Sequence, residues 1–199
     1  MSPGRHALIV VANPSHGSFS HAMAGAASGM LRSRGYEVWL HDLYAERFDP
    51  VQPVGEAENR ASSNSLVERH CRELAAAALI AVCHPNWWGQ PPAILKGWID
   101  RVFRLGVAYG YPLGAGPEAP ALGLLRAKAA LVFNTSNTAV DREAVVFGDP
   151  LEALWRKCVF GLCGVTTFER RVFGPMASSA PAQREAWLAD VRAVVSRHA

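Results

Sequence analysis

Three short segments carry residue types suited to chemistry rather than packing. The first is Asn13-Pro14-Ser15-His16-Gly17-Ser18-Phe19-Ser20, rich in small hydroxyl side chains and placed just before a run with helical spacing. Unpaired amides at a helix start carry partial positive charge and accept phosphate. The plainer reading is ordinary capping of that helix by Ser18 or Ser20. The second segment, His84 to Gln90, sets Trp87 and Trp88 side by side ahead of Pro91 and Pro92. Neighbouring loop residues need not both face a core, so paired indoles can wall a site for a planar ring; burial of both is the alternative. The third, Asn134 to Thr138, offers amides and hydroxyls to polar ring edges.

Other patterns carry less. No GxxxxGK[ST] loop is present in the first segment, which excludes a nucleoside-triphosphate loop there. Gly114 to Ala119 matches GxGxxA but has neither a strand before it nor a helix directly after it, and a dinucleotide fingerprint needs both. His21, His41, His70 and His198 show no ligand spacing, so no metal is expected. His16 reads equally as a phosphate contact and as a surface histidine. Lys96 and Asp100 read as a surface pair, and Asp141-Arg142-Glu143 as solvated loop. The absence of a Gly-x-Ser-x-Gly elbow disfavours an α/β-hydrolase.

Alternating strand and helix signals must position these segments. Ala7 to Ala12, Leu79 to Cys83 and Ala129 to Phe133 are continuous apolar runs, as expected of strands buried on both faces. Tyr36 to Leu40 and Val165 to Phe168 supply two further strands. Helical spacing follows Phe19, Leu66, Pro92, Pro150 and Pro181. Asp149-Pro150 reads as a side-chain cap followed by proline in the first turn, with Leu151, Leu154, Trp155, Cys158, Val159 and Leu162 facing inward. Residues 42–65 form a weakly periodic excursion of the kind that is functional or mobile. The pattern predicts one α/β domain over residues 1–199, a doubly wound five-stranded parallel sheet with helices on both faces. Its ligands would lie beyond the carboxyl ends of the strands.

Composition sets the outer bounds. The chain has 199 residues, 50% hydrophobic and 19% charged, with a net charge of +3. That excess is too small to indicate nucleic acid or an anionic membrane. No apolar run is long enough for a membrane span, and the first residues do not read as a secretory signal. Cys71, Cys83, Cys158 and Cys163 form no CxxC pair and read as buried free thiols. A reduced, cytoplasmic, soluble protein is expected.

The block Pro92-Ala93-Ile94-Leu95-Lys96-Gly97-Trp98, followed by Asp100-Arg101-Val102-Phe103 and preceded by Trp87-Trp88-Gly89, resembles the NAD(P)H:quinone oxidoreductases, the DT-diaphorase group of flavodoxin-like proteins. Ala7 to Ala12 through Ser18-Phe19, Asp42-Leu43-Tyr44 and Ala108-Tyr109 match further motifs of that group, and the resemblance spans roughly residues 6–170. It implies a flavodoxin-like fold and an FMN cofactor, with FAD possible. NAD(P)H would be the co-substrate, a quinone-like small molecule the acceptor, and ping-pong two-electron turnover the mechanism. A homodimer is implied as well.

By the same resemblance, Asn13, His16, Ser18, Phe19 and Ser20 would hold the flavin phosphate and ribityl chain. Pro85, Asn86, Trp87 and Trp88 would hold the isoalloxazine, and Thr135, Ser136, Asn137 and Thr138 its pyrimidine side. Tyr109 and Phe147 would border the substrate pocket. Two departures stand out. Residues 135–138 lack the group's glycine pair, and no Tyr or His occurs between Thr138 and Arg197, with Phe147 about where the group has histidine. Asp149 is then the candidate proton source. Gly106 replaces a glutamate on the adenine side, which favours FMN. The alternatives are a flavin-binding ancillary subunit of a membrane transport system and a one-electron flavodoxin carrier.

Overall fold

The computed structural model describes residues 5–114 and 118–199. The GxGxxA match falls partly on residues 115–117, outside the described residues. The elements, in chain order, are β1 His6–Val11, α1 Phe19–Ser33, β2 Glu37–Asp42, α2 Val54–Ala57, α3 Ser65–Ala76, β3 Leu79–Pro85, α4 Ala93–Val102, β4 Tyr109–Gly110, β5 Leu122–Gly123, β6 Ala129–Thr135, α5 Val140–Phe147, α6 Pro150–Ala153, a π-helical segment Leu154–Gly161, β7 Thr167–Phe173 and α7 Pro181–His198.

Five strands form one sheet in the order β2-β1-β3-β6-β7, and every pairing is parallel. The order reverses between β1 and β3, so a crevice opens at the carboxyl ends of those strands. Alternate residues of each strand point to opposite faces. Ala7, Ile9, Val11, Cys83 and Phe133 pack with Met23 and Leu31 of α1 and with Val191 and Val195 of α7. Leu8, Val10, Ile80, Val82 and Val132 pack on the other face with Leu74, Trp98, Trp155 and Phe160. This two-faced burial explains why β1, β3 and β6 read as unbroken apolar runs.

Three expectations are corrected. The fifth strand runs Thr167–Phe173, beyond the four residues anticipated, because it lies at the sheet edge and its Glu169, Arg170 and Arg171 mask it as polar. The helix after Asp149 winds into a π-helix, so the buried side chains after Trp155 are Val159, as expected, with Phe160 and Cys163, while Cys158 and Leu162 are exposed. Wider winding brings residues five apart onto one face, and the Trp155 and Phe160 rings stack at 5.6 Å. Asp149 precedes α6 with φ of 46° and makes no side-chain cap bond; its carboxylate pairs with Arg170 instead.

Residues 42–65 are strapped to the helical layer. Arg101 of α4 is buried and grips Glu56 through two bonds of 2.8 and 2.7 Å, and it donates to the Asp49 carbonyl at 2.7 Å. Gly97 makes the approach possible: a Cβ there would lie 2.3 Å from the Pro50 carbonyl oxygen. The glycine inside the Lys-Gly-Trp block thus serves the strap.

Candidate functional site

A cavity of about 620 Å³ opens at the carboxyl ends of β3 and β6. Pro85, Asn86, Trp87, Trp88, the run Thr135 to Thr138 and Phe147 all line it, so most of the residues singled out from sequence converge there. Gly89, Glu143, Pro150 and Met176 complete the wall.

Residues Trp87 to Gln90 form a tight hairpin, closed by reciprocal backbone bonds of 3.0 Å between Trp87 and Gln90. Its two central residues, Trp88 and Gly89, have φ of 57° and 71°. This is the type I′ pattern, in which both central residues take positive φ. A tryptophan in that region is strained by roughly 1–2 kcal/mol. The strain holds its indole entirely clear of the chain, at 101% exposure. Strain retained by an exposed aromatic beside a cavity points to binding.

The floor below is buried and polar. Asn86 donates its amide N–H to the Thr135 carbonyl at 2.7 Å and its side-chain Nδ2 to Glu143 at 3.1 Å. Its Oδ1 is buried without a partner. His84, one turn of the strand earlier, is buried and accepts from the Trp155 indole through Nε2 at 3.1 Å, so Nδ1 carries the proton and donates to the Pro85 carbonyl at 2.8 Å. Burial pushes the His84 imidazole down to about 4.

The third segment is anchored from its far side. Ser136 exchanges backbone bonds of 3.0 Å with Phe173 and Met176, and the Asn137 side chain accepts from the Ala177 amide at 2.9 Å. The backbone approach is made by Gly174, where a Cβ would meet the Ser136 carbonyl oxygen at 2.3 Å. Gly174 thus lets the segment after β7 pack tightly behind the loop, while residues 135–138 themselves present side chains rather than a glycine pair to the cavity. Arg170, largely buried, ties Asn134, Asp149 and Glu152 together behind this loop.

The first segment lies outside the cavity lining but next to it, since Ala12 donates to the Cys83 carbonyl at 3.0 Å. Ser18 occupies the cap position of α1 and makes no side-chain cap bond, so capping does not account for it. Its hydroxyl meets His21 Nδ1 at 2.8 Å, and His21 Nε2 meets Asp42 at 2.9 Å. Asn13 accepts from the Ser15 amide at 3.0 Å and stands 3.4 Å from the buried Ser20 hydroxyl. Phe19 packs edge-on against Phe173 and Trp187. His16 is exposed and lies 3.5 Å from Asp42.

Two sequence candidates stand elsewhere. Tyr109 lines a separate groove with Tyr111, Phe103 and Cys158. Asp149 does not line the cavity and is held by Arg170. Conversely Glu143, read as solvated, sits in α5 and is buried against Asn86. Two histidine trios that sequence spacing did not reveal also form: His16, His21 and Asp42, and His41, Glu46 and His70. In the second, Trp98 donates to His70 Nδ1 at 2.8 Å, which leaves the proton on Nε2 and that atom unsuited to a metal.

The site as built offers an exposed aromatic, a row of amides and hydroxyls, an orphaned buried carbonyl oxygen and an uncapped helix start. These suit a planar heterocycle with polar edges and an attached anion. The family model described as the flavodoxin-like fold matches residues 5–196. The chain belongs to this flavodoxin-like family and, within it, to the quinone reductase group of oxidoreductase enzymes. It is 31% identical over 84% of its length to 82% of an uncharacterized NAD(P)H oxidoreductase of Haemophilus influenzae. It is 30% identical over 94% of its length to 89% of the ribosyldihydronicotinamide dehydrogenase [quinone] of Rattus norvegicus. The solved NAD(P)H:quinone oxidoreductase of Methanothermobacter marburgensis shares the fold at a TM-score of 0.79, with 23% identity over 98% of this chain and 97% of that one.

Proposed function

We propose that this single-domain protein holds FMN and uses NAD(P)H to reduce quinones or related small acceptors by two electrons. The observation that carries the reading is the strained, outward Trp88 at the rim of the cavity. The flavin, when bound, supplies hydride acceptance and donation; the chain supplies position and electrostatics. Asn13, His16, Ser18, Phe19 and Ser20 would hold the phosphate and ribityl chain. Pro85, Asn86, Trp87, Trp88 and Thr135 to Thr138 would hold the ring. Nicotinamide and acceptor would occupy the cavity in turn, giving ping-pong kinetics. Gly106 has no side chain to offer an adenine, which favours FMN over FAD.

Among the described residues lining the cavity, Glu143 is the one titratable side chain. It orients Asn86 and takes the place of Asp149 as the nearest proton-handling group. Phe147 offers the acceptor an apolar wall, and Tyr109 would reach a site only across a subunit boundary. We take the working form to be a homodimer in the cytoplasm. Exposed apolar residues on α5 support the first assignment, and the four free cysteines support the second. Among the described residues no helix is long and apolar enough to cross a membrane.

The test is the visible spectrum of the purified protein before and after anaerobic NADH or NADPH, followed by chromatography of the released cofactor. Flavin bands that bleach with either nucleotide, and FMN in the extract, are expected. A colourless protein that takes up neither FMN nor FAD overturns the reading. The scarcity of titratable groups in the cavity favours one second reading, a flavin-binding ancillary subunit of a transport system. Bands that persist with both nucleotides would select it.

A further inference from the structure

Ser18, His21 and Asp42 form a hydrogen-bonded chain whose donors and acceptors can be assigned. Asp42 Oδ1 accepts from the Tyr44 and Ala45 amides at 3.1 and 3.2 Å, which fixes the carboxylate at the end of β2. Its Oδ2 lies 2.9 Å from His21 Nε2, and a carboxylate only accepts, so Nε2 carries a proton. In a neutral ring Nδ1 is then bare and accepts the Ser18 hydroxyl proton over 2.8 Å. Ser18 has spent its only donor inward, at the very position where it stands over the first turn of α1 without capping it.

A phosphate monoester dianion also only accepts. For Ser18 to bind it, the hydroxyl proton must turn outward, and Nδ1 must then donate to Oγ. That requires a second proton on the ring. We propose that His21 takes up one proton from solvent when a phosphate dianion binds at the start of α1, with Asp42 as the fixed counter-charge. The proton ends on Nδ1, Ser18 Oγ–H donates to the phosphate, and no covalent bond changes. Protonation converts a neutral contact into a charge-assisted chain beneath the anion. The charged and titratable groups facing His21 are Asp42 at the end of β2 and His16 from the loop, whose ring lies 5.7 Å away. His16 also approaches the same Asp42 oxygen at 3.5 Å.

The inference rests on the flavin reading, with the phosphate of FMN as the anion. Flavin-freed full-length protein is titrated with FMN and with riboflavin, followed by flavin fluorescence between pH 7.5 and 9. In that range the phosphate is already a dianion, its second ionisation lying near about pH 6. Proton uptake on binding means that FMN binding weakens as pH rises across this range. Riboflavin, which lacks the phosphate, binds independently of pH. His21→Gln flattens the FMN profile while leaving riboflavin binding in place, which also shows that the variant folds. A flat FMN profile in the unaltered protein, or a slope that survives His21→Gln, overturns the proton coupling and leaves the flavin reading standing. Failure of both flavins to bind removes the flavin reading itself and this inference with it. Chelation by EDTA leaves the profile unchanged; a loss of FMN binding on chelation would instead assign the His16, His21 and Asp42 trio to a metal.

Discussion

Trp88 combines a conformational cost with a placement that packing does not reward. A residue with φ of 57° and a freely exposed indole contributes nothing to the core. Trp88→Gly removes the left-handed strain, worth roughly 1–2 kcal/mol, and returns part of it as chain entropy. Urea denaturation is therefore expected to find the variant as stable as the parent or up to about 1 kcal/mol more stable. Flavin retention on dialysis should fall at least about tenfold, a loss of roughly 1.4 kcal/mol. Equal retention would remove Trp88 from the binding site. His84 makes the opposite case, a buried residue whose charge state supports the fold. Its imidazole is depressed to about 4 by burial, below the ordinary 6.5. The unfolded chain takes up the proton first as pH falls, so the contribution is complete above about pH 6.5 and is lost as pH drops toward 4. The loss is on the order of 3 kcal/mol. His84→Asn, with no titrating ring, is expected to show a flatter stability profile between pH 4.5 and 7, although its absolute stability is lower. A parallel decline in both proteins would place the acid sensitivity elsewhere.

The strap over α4 shows how one element depends on a single atom's absence. Gly97→Ala would bring a Cβ within 2.3 Å of the Pro50 carbonyl, where backbone rather than a flexible tip must move. The strap should lift, exposing the Arg101–Glu56 pair, with a stability loss of about 1–3 kcal/mol. Limited proteolysis should gain a cut within residues 49–60; an unchanged digest would mean that the helix shifts instead. The glycine was visible in the sequence as part of a motif, but its purpose was not, because Pro50 meets it only in three dimensions. Elsewhere legibility followed burial. β1, β3 and β6 were readable because burial on both faces leaves unbroken apolar runs. β7 was misplaced because Arg170, a charged residue in a strand, turns inward to Asn134 and Asp149. The π-helical turn was invisible, since the apolar residues from 151 to 163 fit α-helical spacing nearly as well. Trp87, Trp88 and residues 135–138 were legible as site residues by type and by position at strand ends. Glu143 was not, because an acidic residue between Arg142 and Ala144 looks solvated until Asn86 arrives from another loop.

At the scale of the whole molecule, the apolar surface is unevenly spread. Val145, Val146 and Phe147 of α5 are exposed, Val145 at 86%, and Phe147 shares the cavity rim with the outward Trp88. Contiguous apolar exposure of this kind marks an association surface in proteins that do not aggregate. A second copy covering α5 would also exclude water from the open side of the cavity, so association and flavin retention should be coupled. Val145 tests the coupling cleanly, because it does not line the cavity and touches flavin chemistry only through that surface. Val145→Asp places a charge where a dry contact would form, at a cost of several kcal/mol to association. Sedimentation equilibrium should give twice the chain mass for the parent and the single-chain mass for the variant, and the variant should lose flavin faster on dilution. A variant that is monomeric yet holds flavin as firmly as the parent would mean that one chain completes the site alone. A parent that is itself monomeric at all concentrations would leave α5 free for a different protein and would return weight to the ancillary-subunit reading.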